Sequence, residues 1–156
     1  MDKPEIIQCI IHNLKQDLLQ AQQAAEEAMK GATHEQSKAE TQYDTLGLEH
    51  AYLAEGQSRR IQELTMEISK LENWDAPAFT MDDEIYLGAL ISLISSSSKQ
   101  PLQVFIAPAG GAQKIESMNL QVITPDTPLA SALLGKGVDE HISLTNGTHF
   151  EITALR

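Results

Sequence analysis

Four carboxylates in the first half of the chain are the residues whose type best suits metal chemistry. Glu35, Glu40, Asp44 and Glu49 follow one another at intervals of four or five residues. Two or three converging carboxylates can hold Mg²⁺, a hard ion that prefers oxygen ligands, and such an ion activates water and clamps phosphate oxygens. Because the chain has 22 acidic residues, the alternative is that these four are solvated helix residues. Glu35, Glu40 and Asp44 are therefore a candidate Mg²⁺ site, with that alternative open.

Other residue types that could do chemistry give less specific patterns. Arg59 and Arg60 are adjacent and could contact phosphate or an acidic protein surface, or be solvated helix residues. His141 and His149 fall on a predicted hairpin where they could face each other, but no cysteine or paired acid completes a zinc set. Cys9 is the single cysteine, which excludes an internal disulfide. We interpret the histidines and the cysteine as structural or surface residues.

Two predicted helices must position the candidate carboxylates. Apolar residues recur at steps of three and four in two stretches: Ile7, Ile10, Leu14, Leu18, Ala21, Ala25 and Ala28 in the first, and Ile61, Leu64, Ile68 and Leu71 in the second. This spacing puts each set on one narrow stripe of a helix, which is typical of a coiled-coil seam. Neither helix can bury its stripe alone. We therefore predict an antiparallel helical hairpin over residues 1–74, with the carboxylates around its polar tip.

Glycines within this half predict irregular helix geometry. Gly31-Ala32-Thr33 suggests a break and restart in the first helix. Gly47 and Gly56 suggest an irregular second helix before Arg59, because each glycine costs about 1 kcal/mol relative to alanine inside a helix.

The hydrophobic period changes beyond residue 74, which indicates a second domain. Residues 75–82 are predicted to be a linker, and residues 83–156 a small β-rich domain with one short helix at 129–134. Residues 84–95 are apolar and β-compatible, and strands are predicted at 102–106, 120–123, 141–144 and 149–152. The last two flank Asn146-Gly147, a signal for a type I′ hairpin turn. The predicted fold class is α+β.

Net charge limits the possible partners. The chain carries −11, with −6 in residues 1–73 and −5 in residues 74–156. An acidic protein with no basic stripe is a poor candidate for binding duplex nucleic acid by itself, because phosphate neutralisation needs Lys and Arg. It suits a protein partner that is basic where the two meet. The sequence has neither the features of a signal peptide nor an apolar run long enough to cross a membrane, so we expect a cytoplasmic protein.

One segment of the second half resembles a known family. The residues from Thr124 to Glu140 read Thr-Pro-Asp-Thr-Pro-Leu-Ala-Ser-Ala-Leu-Leu-Gly-Lys-Gly-Val-Asp-Glu, which is similar to the C-terminal domain of the GreA/GreB transcript cleavage factors. Phe150-Glu151-Ile152 fits the last strand of that domain, and the order of parts also agrees: helical hairpin, short linker, then an FKBP-like β domain. The first half resembles a distinct Gre-like subgroup rather than GreA itself.

The resemblance implies a factor that enters the secondary channel of bacterial RNA polymerase. In Gre factors an Asp and a Glu at the tip of the coiled coil help to hold a catalytic Mg²⁺ that cleaves backtracked RNA, while the FKBP-like domain docks near the channel mouth. The implied partner is the polymerase, with nucleic acid contacted only inside its complex and no membrane or small-molecule substrate. The chain would bind no cofactor alone, and would stimulate the polymerase's own RNA cleavage rather than act as an independent enzyme.

The tip departs from the family pattern. Aligning Lys38 and Tyr43 with that pattern puts Gln36 and Ala39 at the two acidic positions. Acids occur one residue away, and a one-residue shift rotates a helical side chain by about 100°. Three hypotheses follow: a rebuilt site in which Glu35, Glu40 and Asp44 share the ion differently, a channel-occupying regulator that does not cleave, or a coiled-coil adaptor unrelated to transcription.

Overall fold

Two long helices precede a sheet domain. The computed structural model describes residues 2–38 and 46–156, and at 32–38, 46, 47 and 50 its backbone alone. The elements are α1 (Lys3–Lys38), α2 (Leu46–Glu72), β1 (Leu90–Ser95), β2 (Pro101–Ile106), β3 (Gln113–Ile115), a 3₁₀ turn (Glu116–Met118), β4 (Leu120–Ile123), α3 (Pro128–Leu133), β5 (His141–Ser143) and β6 (His149–Leu155). The predicted α+β class is confirmed. Of the helices in the described residues, none combines the length and apolar character that crossing a membrane requires.

The chain forms two compact units. One comprises Met1–Ile11 with Lys70–Arg156, and the other is His12–Ser69. The first residues of α1 therefore belong to the same unit as the sheet. The predicted boundaries of the linker at 75 and 82 stay a prediction.

Buried residues recur along both helices of the helical unit. Leu14, Ala21 and Ala28 are buried on α1, and Ala54, Leu64 and Ile68 are buried on α2. All of them except Ala54 lie on the predicted apolar stripes, whereas the antiparallel pairing of the two helices stays a prediction.

Both predictions of helix irregularity are wrong. Helix α1 continues through Gly31-Ala32-Thr33 to Lys38, and α2 begins at Leu46 and includes Gly47 and Gly56. A single glycine costs about 1 kcal/mol, which neighbouring Ala, Glu, Gln and Leu residues offset because they favour the helix.

The six strands form one mixed sheet in the order β3-β4-β2-β1-β6-β5. Strands β2 and β4 are parallel, and the other neighbouring pairs are antiparallel. Strands β3 and β5, of three residues each, form the two edges.

Helix α3 covers one face of the sheet. Its Ala130 and Leu133 are fully buried. They belong to a core with residues from five strands, namely Ile91, Leu93, Val104, Ile106, Ile123, Ile142 and Ile152. The alternating apolar residues of the strands supply one side of this core, as period-two patterning requires.

The β5–β6 hairpin is confirmed, but its predicted turn type is wrong. The backbone N–H of Leu144 donates to the carbonyl of Thr148 at 2.8 Å, which leaves three loop residues between them. Gly147 has φ +84°, whereas Asn146 does not have the positive φ that a type I′ turn needs. The N–H of Gly147 donates to the carbonyl of Leu144 at 3.0 Å, so Gly147 completes a three-residue loop in the left-handed conformation.

Aromatic side chains fix residues 74–79 against the sheet domain. The ring centroid of Trp74 lies 6.1 Å from that of Phe105 in β2. The rings of Phe79 and Tyr86 are 4.4 Å apart. These contacts give the segment after α2 a defined position within its unit.

Candidate functional site

The predicted carboxylates fall largely outside the described residues. Glu35 lies on the backbone of α1 near its end, but its side chain is outside the described part of the chain, as are Glu40 and Asp44 entirely. Glu49 is exposed in the first turn of α2, where the partial positive charge of the helix N-terminus favours a carboxylate. Among the described side chains, no three His, Cys, Asp or Glu residues gather as metal ligands. The Mg²⁺ site remains a prediction.

The arginine pair lies on an exposed part of α2. Arg60 approaches Glu63 at 3.6 Å and Glu67 at 4.0 Å on its own helix. Exposed ion pairs of this kind contribute about 0–1 kcal/mol. The contacts of Arg60 favour a solvated helix residue over a phosphate contact.

His141 and His149 do not face each other. In the antiparallel register His149 is opposite Ser143, and His141 is opposite Glu151. His149 Nδ1 is 2.7 Å from Ser143 Oγ. The predicted pairing of the two histidines across the hairpin is therefore wrong, because their strands are offset by two residues.

The segment that resembles Gre factors begins with a helix cap. Thr127 has extended backbone angles, and its hydroxyl oxygen accepts a hydrogen bond from the N–H of Ala130 at 3.3 Å. The same hydroxyl donates to the carbonyl of Thr124 at 2.9 Å. Pro128 follows at the first helical position, where a missing N–H costs nothing. The Thr-Pro pair thus starts α3 and fixes the loop before it.

The end of the same segment closes α3 onto the sheet domain. Gly135 has φ +80°, and its N–H donates to the carbonyl of Ile85 at 2.8 Å. The carboxylate of Glu140 accepts from the N–H of Gly137, and the N–H of Asp139 donates to the carbonyl of Ile152 at 2.8 Å. The Gly and Asp-Glu positions of the motif therefore have structural roles here.

An open apolar groove lies beside the start of α3. Its volume is about 430 Å³, within the range typical of ligand and side-chain pockets. The apolar lining comes from four elements and a loop: Leu102, Ile123, Leu129, Leu144 and Phe150. Polar side chains at its margin are Gln121, Thr127, Asn146 and Thr148. Such a groove can take one or two apolar side chains of a partner while its margin forms hydrogen bonds.

A negative charge lies in the loop that leads to the groove. The hydroxyl of Thr124 donates a hydrogen bond to the carboxylate of Asp126. This bond is the main reason that the pKa of Asp126 lies below its usual range. Asp126 is therefore ionised at neutral pH. An apolar groove next to this charge suits a partner that combines apolar and basic side chains.

Sequence reasoning did not find the groove. Leu129 and Phe150 were assigned only to a helix and a strand. Both are half-buried at element ends, where the core is open on one side. The available signals in the sequence were Leu129, directly after Thr-Pro, and Phe150, three positions after Asn-Gly. Only the tertiary structure brings these two residues together.

No protein-family model matches the chain, and no curated protein matches it either. Among solved structures, the chain is similar to GreA factor homolog 1 (Gfh1) of Thermus thermophilus, with 22% identity, 94% of each chain covered and a TM-score of 0.41. Thermus aquaticus Gfh1 gives 22% identity, a TM-score of 0.41 and coverage of 93% of this chain and 92% of that one. A structure described as the transcription factor Gfh1 gives 24% identity, a TM-score of 0.42 and coverage of 94% of this chain and 92% of that one. The first of these structures is described as a homolog of the GreA factor.

Proposed function

We propose that the chain is a transcription factor that binds bacterial RNA polymerase and places the tip of its α1–α2 hairpin in the secondary channel. One observation carries the proposal. The segment from Thr124 to Glu140, which resembles Gre factors, forms the cap, helix and closing turn beside an apolar groove. A segment needed only for folding does not require an open apolar surface next to it, whereas a docking domain does.

The groove is the proposed docking surface of the sheet domain. Leu129 and Phe150 present apolar surface, and Thr127 and Gln121 present hydrogen-bonding groups at the margin. Protein interfaces concentrate their binding free energy in a few such apolar pockets surrounded by polar residues. We expect an apolar side chain of the polymerase to enter the groove.

Binding assays with matched variants test this surface. Leu129 and Leu87 are both partly buried against the same core, but only Leu129 lines the groove. Leu129→Gln should weaken binding to core polymerase about tenfold, since a central interface residue contributes about 1–2 kcal/mol. Leu87→Gln should leave affinity unchanged once both variants are shown to be folded by circular dichroism. Equal affinities of the two variants would remove the groove from the interface.

The proposed chemistry at the tip is stimulation of RNA cleavage by the polymerase. Glu35, Glu40 and Asp44 supply only carboxylate oxygens, a donor set that fits a hard ion such as Mg²⁺. These residues would hold an ion shared with the polymerase, which when bound would activate water and stabilise charge on phosphate oxygens. The protein would supply the carboxylates, and the polymerase would supply the RNA.

A cleavage assay on backtracked elongation complexes tests that chemistry. Replacing Glu35, Glu40 and Asp44 together by Ala should abolish stimulated cleavage in Mg²⁺ and leave polymerase binding largely intact. The matched control is Glu26→Ala, which removes an exposed carboxylate lower on α1. Undiminished stimulation by the triple variant would reject the assignment of the three carboxylates.

A second function is favoured by Gln36 and Ala39, which stand where the family pattern has acids. In this alternative the same scaffold occupies the channel and inhibits or modulates initiation without cleavage. Its signature is inhibition that weakens with added salt, because exposed charges interact less strongly as ionic strength rises.

A further inference from the structure

Helix α2 carries a second heptad pattern, on its exposed side. Six residues separated alternately by four and three positions are all exposed: Leu48, Tyr52, Glu55, Arg59, Gln62 and Met66. Alternating steps of four and three keep side chains in one line along a helix. At 3.6 residues per turn, this line lies on the side of α2 opposite the buried Leu64 and Ile68. We call these six residues the outer strip.

The outer strip exposes three large apolar side chains along one line. Leu48 is 53% exposed, Tyr52 is 63% exposed and Met66 is 62% exposed. Single exposed apolar residues are ordinary on a protein surface. Three of them at heptad spacing form a pattern that favours contact with another helix, because each side chain can fit between residues of the facing helix.

The outer strip is complementary to itself when two copies of α2 lie antiparallel. About a twofold axis level with residue 57, three kinds of facing pair form between the copies: Leu48 with Met66, Tyr52 with Gln62, and Glu55 with Arg59. The two members of each pair are equally far from residue 57 along the chain, so every pair occurs twice. An interface between identical surfaces requires this arrangement.

The two charged residues select the antiparallel orientation. In a parallel pair, Glu55 would face Glu55 of the second copy and Arg59 would face Arg59, so like charges would meet. In the antiparallel pair each carboxylate faces a guanidinium, with which it can form two parallel hydrogen bonds. Charge complementarity of this kind fixes the register of an interface and disfavours other partners.

We propose that the outer strip is a self-association surface, through which two copies of this chain form an antiparallel pair of α2 helices. From Leu48 to Met66 the strip is about 27 Å long at 1.5 Å per residue. A contact of this length and one helix width is smaller than the roughly 800 Å² per partner of a stable interface. The dimer is therefore weak, with a dissociation constant of roughly 0.1 mM. The proposal does not depend on polymerase binding.

Sedimentation equilibrium of the full chain tests the association. Between about 10 μM and about 1 mM, the weight-average mass should rise from that of one chain towards that of two. Met66→Glu places an unpaired carboxylate against Leu48 of the second copy, so it should weaken association about tenfold. The matched control is Met29→Glu, because Met29 is 54% exposed on α1 but lies outside the strip.

The control should associate as the wild type does. A wild-type chain that stays monomeric over the whole concentration range would overturn the proposal. Equal weakening of association by Met66→Glu and Met29→Glu would also overturn it, since the effect would then come from added charge rather than from the strip.

Charge reversal tests the antiparallel register separately. In Glu55→Arg both central positions of the strip are basic, and in Arg59→Glu both are acidic, so each variant repels its own copy. Each should associate about tenfold more weakly than the wild type. In an equal mixture of the two variants, every central pair between unlike copies joins an acid and a base, so association should return.

Circular dichroism checks that each reversal variant keeps its helices. A mixture that associates no more tightly than the separate variants would refute the antiparallel register. A dimer that neither reversal weakens would form through another surface, and the outer strip would then have no part in it.

Discussion

Replacing Gly88 by Ala should destabilise the sheet domain for two separable reasons. Gly88 has φ +94°, a conformation that costs an L-residue about 1–2 kcal/mol. A Cβ at this position would lie 2.4 Å from Pro77 Cδ and 3.3 Å from Trp74 Cζ2. Overpacking of this kind costs about 1–3 kcal/mol. The free energy of unfolding should therefore fall by about 2–5 kcal/mol, which adds the backbone cost to the packing cost.

Gly147→Ala is the matched control because it carries the backbone cost alone. Gly147 has φ +84°, and an added Cβ would have no other atom within 4 Å. We expect a loss of about 1–2 kcal/mol. The excess loss in Gly88→Ala measures how closely Pro77 approaches the sheet domain.

Urea unfolding followed by Trp74 fluorescence and by circular dichroism measures both losses. Pro77→Ala removes the atoms that the new Cβ would meet, so the Gly88→Ala/Pro77→Ala pair should recover part of the excess as a coupling free energy. Equal losses for Gly88→Ala and Gly147→Ala, with no coupling to Pro77, would refute the packing of residues 74–79 against Gly88.

Four further predictions follow from the same structure. Gly56→Ala should stabilise the helical unit by about 0.5–1 kcal/mol in thermal unfolding, because an added Cβ meets no atom within 4 Å and alanine favours the helix. Leu64→Ala should lower the free energy of unfolding of this unit by about 2–5 kcal/mol because Leu64 is fully buried. Met66 is 62% exposed, so Met66→Ala should change the free energy of unfolding in urea by less than about 0.5 kcal/mol. Thr127→Ala should cost about 1 kcal/mol by loss of the α3 cap, and Thr127→Ser should restore it. Burial lowers the pKa of Lys3 to about 8 in the folded chain, below its unfolded value. Between about pH 8 and 10.5 the unfolded chain therefore binds more protons than the folded chain, so the free energy of unfolding should rise with pH. Lys3→Met should flatten this part of the profile of urea stability against pH.

Much of the fold was readable from local patterns because those patterns have one dominant physical cause. The apolar stripes of α1 and α2 follow from residue spacing, and the short helix α3 follows from the prolines that precede it. The turn at Asn146-Gly147 was misassigned because its type depends on which strand residues pair, and that register is set by the sheet. Strand β3 was missed because Gln113–Ile115 has neither the length nor the alternation of an independent strand.

The candidate site was less predictable than the helices because it depends on tertiary structure. Acid positions in the sequence identify oxygen donors, but convergence of their side chains is a tertiary property. The groove at Leu129 and Phe150 comes from residues 21 positions apart in sequence, so no local pattern reveals it. The hydrogen bond from Lys3 Nζ to the carbonyl of Pro77 spans 74 positions and was equally hidden.

The short edge strands have a consequence for the behaviour of the protein at high concentration. Unpaired backbone groups at a sheet edge can recruit a strand from another molecule, which leads to aggregation. Here β3 and β5 expose only three residues each, and each includes an exposed polar side chain, Lys114 in β3 and His141 in β5. Adding a strand from another molecule needs a longer run of unpaired backbone, so the sheet domain should not aggregate through its edges at high protein concentration. Its solubility should fall if either edge strand is lengthened by apolar residues.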